Sequence, residues 1–210
     1  MIRIFIADDH AIVREGLKQI VAEEHDMKVT GEASGSDDVL NILAKENYDI
    51  AILDINMPGK SGLDLLKDLR IQFPKLPVLI LSMYAEEQYG IRVLKAGASG
   101  YLKKASAPDA LVTAIRKIVS GGKYISPLLA EKLADTIDLS YDKQPHEYLS
   151  DREYEVMCKI ASGKSAESIS EDLSISVHTF YTYRKRIFEK MNMKSNVELT
   201  QYVINNRLNE

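Results

Sequence analysis

Through the first 120 residues the apolar positions switch repeatedly between two spacings. Ile2–Ala7, Met27–Ala33, Ile50–Asp54, Pro77–Ser82 and Gly100–Leu102 are continuous or alternating short runs and read as strands. Between them apolar residues recur three and four apart, the spacing of a helix with one buried face. The candidate inward residues are Ile12, Val13, Leu17, Ile20 and Val21 within His10–Glu23, and Val39, Leu40, Ile42 and Leu43 within Asp37–Glu46. Leu63, Leu65, Leu66 and Leu69 play the same part within Ser61–Gln72. Glu86–Ala96 and Pro108–Ser120 complete the helical set, the last with proline in its first turn. Strands and helices in strict alternation predict an α/β fold: a five-stranded doubly wound parallel sheet covered on both faces.

The pattern changes after Gly121-Gly122. Ser126-Pro127 opens a short helix to about Ile137, and Asp138–Tyr148 is polar, carries Pro145 and reads as a linker. From Leu149 only helical spacing remains, over Asp151–Ala161, Ser165–Leu173, Val177–Met191 and Val197–Leu208. The expected organisation is a sheet domain over residues 1–120, a linker with a short helix over 121–148, and a small all-α domain over 149–210.

Charge refines this picture for the second domain only. Residues 150–210 hold nine basic and nine acidic side chains, so the chain's net charge of −4 belongs to the residues before them. Within Arg184–Lys194 stand five basic residues and one acid. A basic face on a neutral domain can bind phosphates where the whole-chain average hides it. A solvated helix face in an interaction module is the other reading. There is no run of roughly 18 apolar residues, so no membrane span is expected. The chain opens directly into a strand without the basic and apolar regions of a signal peptide. Its single cysteine, Cys158, suits a reducing compartment, and a cytoplasmic location is expected.

The candidate chemistry lies at strand ends. Ile50–Leu53 are four apolar residues in a row, followed by Asp54 and then Ile55-Asn56-Met57-Pro58-Gly59, a turn signal. Asp54 therefore sits at the carboxyl edge of the sheet, where open α/β sheets bind ligands. Taken alone it could equally cap the next helix. Asp8 and Asp9 directly follow the first strand, however, and strand order 2-1-3-4-5 would bring them beside Asp54. Three crowded carboxylates repel one another, and a hard divalent cation such as Mg²⁺ resolves that. Ser82 ends the fourth strand and Lys104 follows the fifth, placing a hydroxyl and an ammonium on the same rim. The set suits phosphoryl transfer onto Asp54 as a carboxylate nucleophile.

Asp8-Asp9, Asp54-Ile-Asn-Met-Pro-Gly, Ser82 and Gly97-Ala-Ser-Gly-Tyr-Leu-Lys-Lys104 resemble the receiver domain of two-component response regulators. The resemblance implies that Asp54 accepts phosphate from a sensor histidine kinase. It implies Mg²⁺ held by Asp8, Asp9, Asp54 and the backbone carbonyl of Asn56, with Lys104 rather than Lys103 as the site lysine. Ser82 and Tyr101 match the family's switch pair. Asn56 and Tyr84, two residues after Asp54 and Ser82, match positions that tune loss of the phosphoryl group. His10 reads as a helix-start residue.

In the second domain, Ser165–Leu173, a Ser-Ile-Ser turn and Val177–Met191 form a helix-turn-helix pattern. Phe180, Ile187 and Met191 take its core side. Tyr181, Thr182, Arg184, Lys185 and, further along, Lys190 take the opposite side. Tyr181, Thr182 and Lys185 are candidates for base edges, and the cations for phosphates. Leu149-Ser-Asp-Arg-Glu, Ala161-Ser-Gly-Lys-Ser, Leu173-Ser-Ile-Ser and Thr179-Phe-Tyr-Thr-Tyr-Arg resemble the LuxR-type DNA-binding domain. Joined to a receiver, this is similar to NarL/FixJ-like response regulators. Thr179 and His178 join the DNA-facing candidates. The chain departs from the family pattern at Ala166-Glu167, where Asn-Lys is frequent, at Phe180 and at Tyr183.

The expectation is a phosphorylation-switched transcription regulator that binds double-stranded DNA, as a homodimer once phosphorylated. Val197–Leu208 is a candidate dimer surface. Two alternatives differ in class. One is a receiver acting only through protein partners. The other is a phosphohydrolase, which would need a second acid two residues after its nucleophile; that position is the amide Asn56. No enzyme is expected beyond Mg²⁺-dependent self-phosphorylation and slow self-dephosphorylation.

Overall fold

The computed structural model describes residues 1–57, 60–135 and 144–208, so Pro58-Gly59 of the expected turn, the end of the short linker helix and Asp138–Lys143 lie outside the described residues. The chain divides into two compact units, Met1–Glu131 and Lys132–Glu210.

The first unit contains the predicted sheet: β1 (Ile2–Ala7), β2 (Met27–Ala33), β3 (Ile50–Asp54), β4 (Val78–Ser82) and β5 (Gly100–Lys103), all parallel in order β2-β1-β3-β4-β5. The central strands β3 and β4 are buried at every position, which is why they read as continuous apolar runs rather than alternating ones. Five helices cover the faces: α1 (Ala11–Ala22), α2 (Ser36–Leu43), α3 (Gly62–Gln72), α4 (Glu86–Lys95) and α5 (Ala107–Val119). Ile4, Ile6, Ile50, Ile52, Leu79 and Leu81 meet Leu17 and Val21 of α1 and Leu111, Ala114, Ile115 and Ile118 of α5 in one core.

One expected core residue is not there. Ile12 is 83% exposed, because the inward stripe of α1 runs through Val13, Leu17 and Val21 and the residue before Val13 lies about 100° round the helix.

The segment after α5 is folded onto the sheet unit. The Tyr124 N–H donates to the Ser99 carbonyl (2.9 Å), and Ser126 Oγ donates to Glu86 at the start of α4 (2.6 Å). From α6 (Pro127–Asp135), Leu129 is buried against Gly90, where an added Cβ would stand 2.8 Å from both Leu129 methyl carbons. That contact accounts for a glycine in the middle of α4, a position that normally costs about 1 kcal/mol relative to alanine.

The second unit is helical: α7 (Asp151–Ala161), α8 (Ala166–Asp172), α9 (Val177–Met191) and α10 (Asn196–Asn205). Ser150 caps α7 with Glu153 returning the bond, a complete capping box. Tyr154, Met157, Ile169, Phe180, Ile187, Leu199 and Val203 are buried. Pro145–Tyr148, expected as linker, forms a single 3₁₀ turn, and His146 Nδ1 lies 2.9 Å from the Tyr202 hydroxyl of α10.

Candidate functional site

Register assembles the acidic edge. Ala7 pairs with Leu53, so Asp8 comes abreast of Asp54 one residue on; Asp54 pairs with Leu81, so Ser82 stands one step beyond. Ser82 pairs with Lys103, and Lys104 follows at the start of a 3₁₀ turn. Lys104 Nζ lies 2.6 Å from Asp8 Oδ2 and 2.8 Å from Asp54 Oδ2, with all three side chains nearly inaccessible to solvent. Lys103 is exposed.

Burial pushes the Asp54 carboxyl up, and the Lys104 ammonium opposes it without cancelling it. Burial works against the Lys104 charge, yet its bonds to Asp54 and Asp8 hold its pKa above the ordinary lysine value. One lysine thus serves two buried carboxylates, and Asp54 Oδ1 is left without a hydrogen-bond partner at 2% residue exposure. Asp9 Oδ1 is likewise unpartnered by hydrogen bonds, and a donor atom from each of Asp8, Asp9, His10 and Asp54 lies within 4.8 Å of the others. Oxygen donors with spare lone pairs in that space fit a divalent cation.

Beyond this edge the fold links Asp54 to α4. Ser82 is fully buried and its Oγ accepts the Tyr84 N–H (3.2 Å). Tyr101 of β5 is buried, and its hydroxyl donates to the Tyr84 carbonyl (2.8 Å). Burial pushes the Tyr101 pKa well up, so the phenol stays a donor. The Tyr84 ring stacks on Tyr89 of α4 at 5.0 Å. The Asn56 side chain is exposed beside the site.

Pattern reading of α3 passed over Gly62. Its N–H donates to the Ile55 carbonyl (2.9 Å), and a Cβ there would lie 2.5 Å from the Asp54 carbonyl oxygen and 2.6 Å from Ile55 Cα. α3 is therefore seated directly on the backbone that carries Asp54. Its only local signal is Ser61-Gly62 at the helix start, the serine being the cap.

In the second unit, α8, the turn through Ser174 and α9 form the helix-turn-helix. Ser174 has φ of 52°, and Ser176 caps α9 by accepting the Thr179 N–H (3.0 Å). The predicted DNA-facing residues separate into two groups. Tyr181, His178 and Lys185 are exposed, Lys185 within 3.8 Å of Glu189. Thr182 donates back to the His178 carbonyl, Thr179 contacts Ser176, and Arg184 is held by Asn196 (2.8 Å) with its guanidinium 4.5 Å from the Phe188 ring centre. Lys190 pairs at 2.6 Å with Glu153, the buried first-turn residue of α7 that completes the capping box with Ser150. Arg186, four residues after Thr182, is exposed and was not among the predicted contacts.

Residues 4–116 match the response regulator receiver domain, and residues 147–203 match the bacterial regulatory proteins of the luxR family. Response regulator UvrY of Escherichia coli strain K12 is 34% identical over 209 residues, covering 99% of this chain and 96% of that protein. Oxygen regulatory protein NreC of Staphylococcus epidermidis is 35% identical over 216 residues, covering 99% of each. Among solved structures, the response regulator RcsB of Salmonella typhimurium matches with a TM-score of 0.74 at 26% identity, covering 100% of this chain and 98% of that one. RcsB bound to promoter rprA in the presence of phosphomimetic BeF₃⁻ matches with a TM-score of 0.69 at 27% identity, covering 97% and 99%.

Proposed function

The chain belongs to the two-component response regulators that join a receiver to a luxR-family DNA-binding domain, and from that premise we propose that Asp54 is its phospho-acceptor. The observation that carries this is a carboxylate at the carboxyl edge of β3, 2% exposed, with one oxygen on Lys104 and the other unpartnered. The unpartnered oxygen attacks the phosphorus of a phosphohistidine on a sensor kinase. An O–P bond forms as the P–N bond breaks, and its electron pair returns to the imidazole nitrogen. Asp8, Asp9, Asp54 and the Asn56 carbonyl would hold a divalent cation, Mg²⁺ in this reading, which supplies charge neutralisation at the transferring group. Lys104 adds a fixed positive charge on the same edge. The Asn56 amide is too weak an acid to protonate a leaving group, so it does not serve as the acid a phosphohydrolase needs, and it and Tyr84 set how long the phosphoryl group survives.

The phosphoryl dianion attracts the Ser82 hydroxyl. Ser82 and Tyr101 both contact Tyr84, so a shift there biases α4 and β5 between two arrangements. The expected output is a cytoplasmic homodimer whose two α9 helices enter successive major grooves of double-stranded DNA. Val197 and Ile204 support α10 as the dimer surface: they are 78% and 51% exposed and, seven residues apart, lie on one helix face.

The test is DNA binding by the purified protein and by Asp54→Ala, each with and without a small-molecule phosphodonor. The proposal expects the phosphodonor to tighten binding of the wild type only. An equal response in both proteins removes Asp54 as the switch.

A further inference from the structure

The amino edge of the sheet, opposite Asp54, carries a cleft that phosphotransfer does not use. Asp49, Pro77 and Ser99 stand one residue before β3, β4 and β5 and line it. Its volume is about 490 Å³, within the range of small-molecule sites. Arg70, Lys75 and Lys123 are the cations of its lining, and Asp49 is the acid. A second recess of about 450 Å³ shares Tyr48, Pro74 and Lys75 with it.

Arg70 is the anomaly. Arg3, Arg14, Arg116 and Arg152 each pair with a carboxylate. Arg70 has no such partner among the described residues. One guanidinium nitrogen donates to the Leu76 carbonyl, and Nε is enclosed without a hydrogen-bond partner. Burial pushes its pKa down, and no acid pulls it back. A desolvated cation without a counter-ion is costly, so the fold keeps a positive charge that an arriving anion can settle. The side chain is also fixed in place. A Cβ on Gly97, whose φ is 101°, would stand 2.8 Å from Arg70 Cδ and 3.0 Å from its Cγ, so the stem runs directly against that glycine. Lys123 Nζ donates to the Ala98 carbonyl (3.0 Å), and Lys75 is exposed. The C-termini of α3 and α5 oppose an anion, each with about half a negative charge. Together with Asp49, which already accepts the Arg3 N–H (2.7 Å), they do not cancel three full cations.

We propose that this cleft binds a small organic phosphate of nucleotide size, with its phosphoryl group on Arg70, Lys75 and Lys123 and its ring system along Tyr48, Pro74 and Pro77. Three cations suit a phosphoryl dianion better than a single carboxylate, and a guanidinium matches phosphate geometry. The Tyr48 ring is held edge-on by Phe5 at 5.4 Å between ring centres, so the apolar flank exists before the ligand arrives. Occupancy at this edge is separate from phosphorylation of Asp54, and the inference stands without that reading.

The experiment is calorimetric titration of the full chain, without added divalent cation, using AMP, adenosine and inorganic phosphate, with amide NMR to locate the site. AMP should bind about tenfold or more tighter than either fragment, since each fragment keeps only part of the contacts. The amide signals of Ser99, Gly121 and Gly122 should move, and those of Asp8 and Asp54 should not. Arg70→Met should abolish AMP binding. Lys75→Ala should weaken it about tenfold, the loss of one charge-assisted bond. Lys75 is exposed, so that variant carries the test even where Arg70→Met folds poorly. AMP that binds no tighter than adenosine or inorganic phosphate overturns the proposal, as does AMP affinity unchanged in both variants. Signals that move around Asp54 instead overturn the location. A polyglutamate peptide that binds tighter than AMP overturns the ligand class and makes the cleft a seat for an acidic chain. No heat and no shifts with any probe at about 5 mM overturn the site itself.

Discussion

Replacing Gly62 by alanine tests whether α3 fixes the position of Asp54. Helix propensity alone favours the change by at most about 1 kcal/mol. The space does not allow it. The new Cβ would stand 2.5 Å from the Asp54 carbonyl oxygen and 2.6 Å from Ile55 Cα, whereas comfortable contacts begin near 3.5 Å. Both neighbours are backbone, so relief requires α3 and the end of β3 to part by roughly 1 Å. Overpacking of this kind costs about 1–3 kcal/mol, leaving a net loss of up to about 2 kcal/mol once about 1 kcal/mol of propensity is credited. For a unit of this size that lowers the melting temperature by up to about 8 °C. A reacting carboxylate displaced by about 1 Å loses up to roughly 100-fold in rate. Calorimetric melting, together with the rate of phosphorylation from a small phosphodonor, reads both effects. Gly16→Ala is the control: nothing lies within 4 Å of its Cβ position in α1, so about 0.5–1 kcal/mol of stabilisation is expected with an unchanged rate. A Gly62→Ala protein that melts no lower than wild type and is phosphorylated as fast refutes the argument.

Other outcomes follow from particular contacts. Gly90→Ala should drive Leu129 from its seat, raising hydrogen exchange across α6 by about tenfold, and Leu129→Ala in the same chain should relieve the clash and reduce the loss. In the helical unit, burial pushes Glu153 up, but the Lys190 ion pair and the Ser150 N–H outweigh it and the net shift is downward. A depressed carboxylate stabilises above its unfolded value of about 4.5 and loses that contribution as pH falls through the lower folded value. Acid unfolding of Glu153→Gln should accordingly be less pH-dependent below about pH 4.5. For DNA, Lys185→Ala should reduce the salt slope of binding by about one, while Lys190→Ala should lower the melting temperature and leave that slope nearly unchanged. A salt titration of operator binding with both variants separates the two.

The alternation of strand and helix, the buried character of Ile50–Leu53 and the helix-turn-helix over Ser165–Met191 were legible in the sequence, because each depends on periodicity within a few residues. The acidic edge was legible too, since a carboxylate that ends a parallel strand can stand nowhere but the carboxyl edge. Pairings set by packing were not. Ile12 shares an apolar spacing with its neighbours and still faces water, because one residue of helix turns it off the inward stripe. Lys190 sits in a basic run, yet a buried glutamate 37 residues earlier holds it, and nothing local marks that partner. Gly62 and Gly90 look alike in the sequence as glycines in helices. Only the backbone of Asp54 beneath one and the side chain of Leu129 over the other distinguish their roles. Local sequence fixes which backbone conformation a segment prefers and which residues can do chemistry. The distance between two side chains from different segments depends on how those segments stack, and on this chain that stacking set what Lys104 and Lys190 touch.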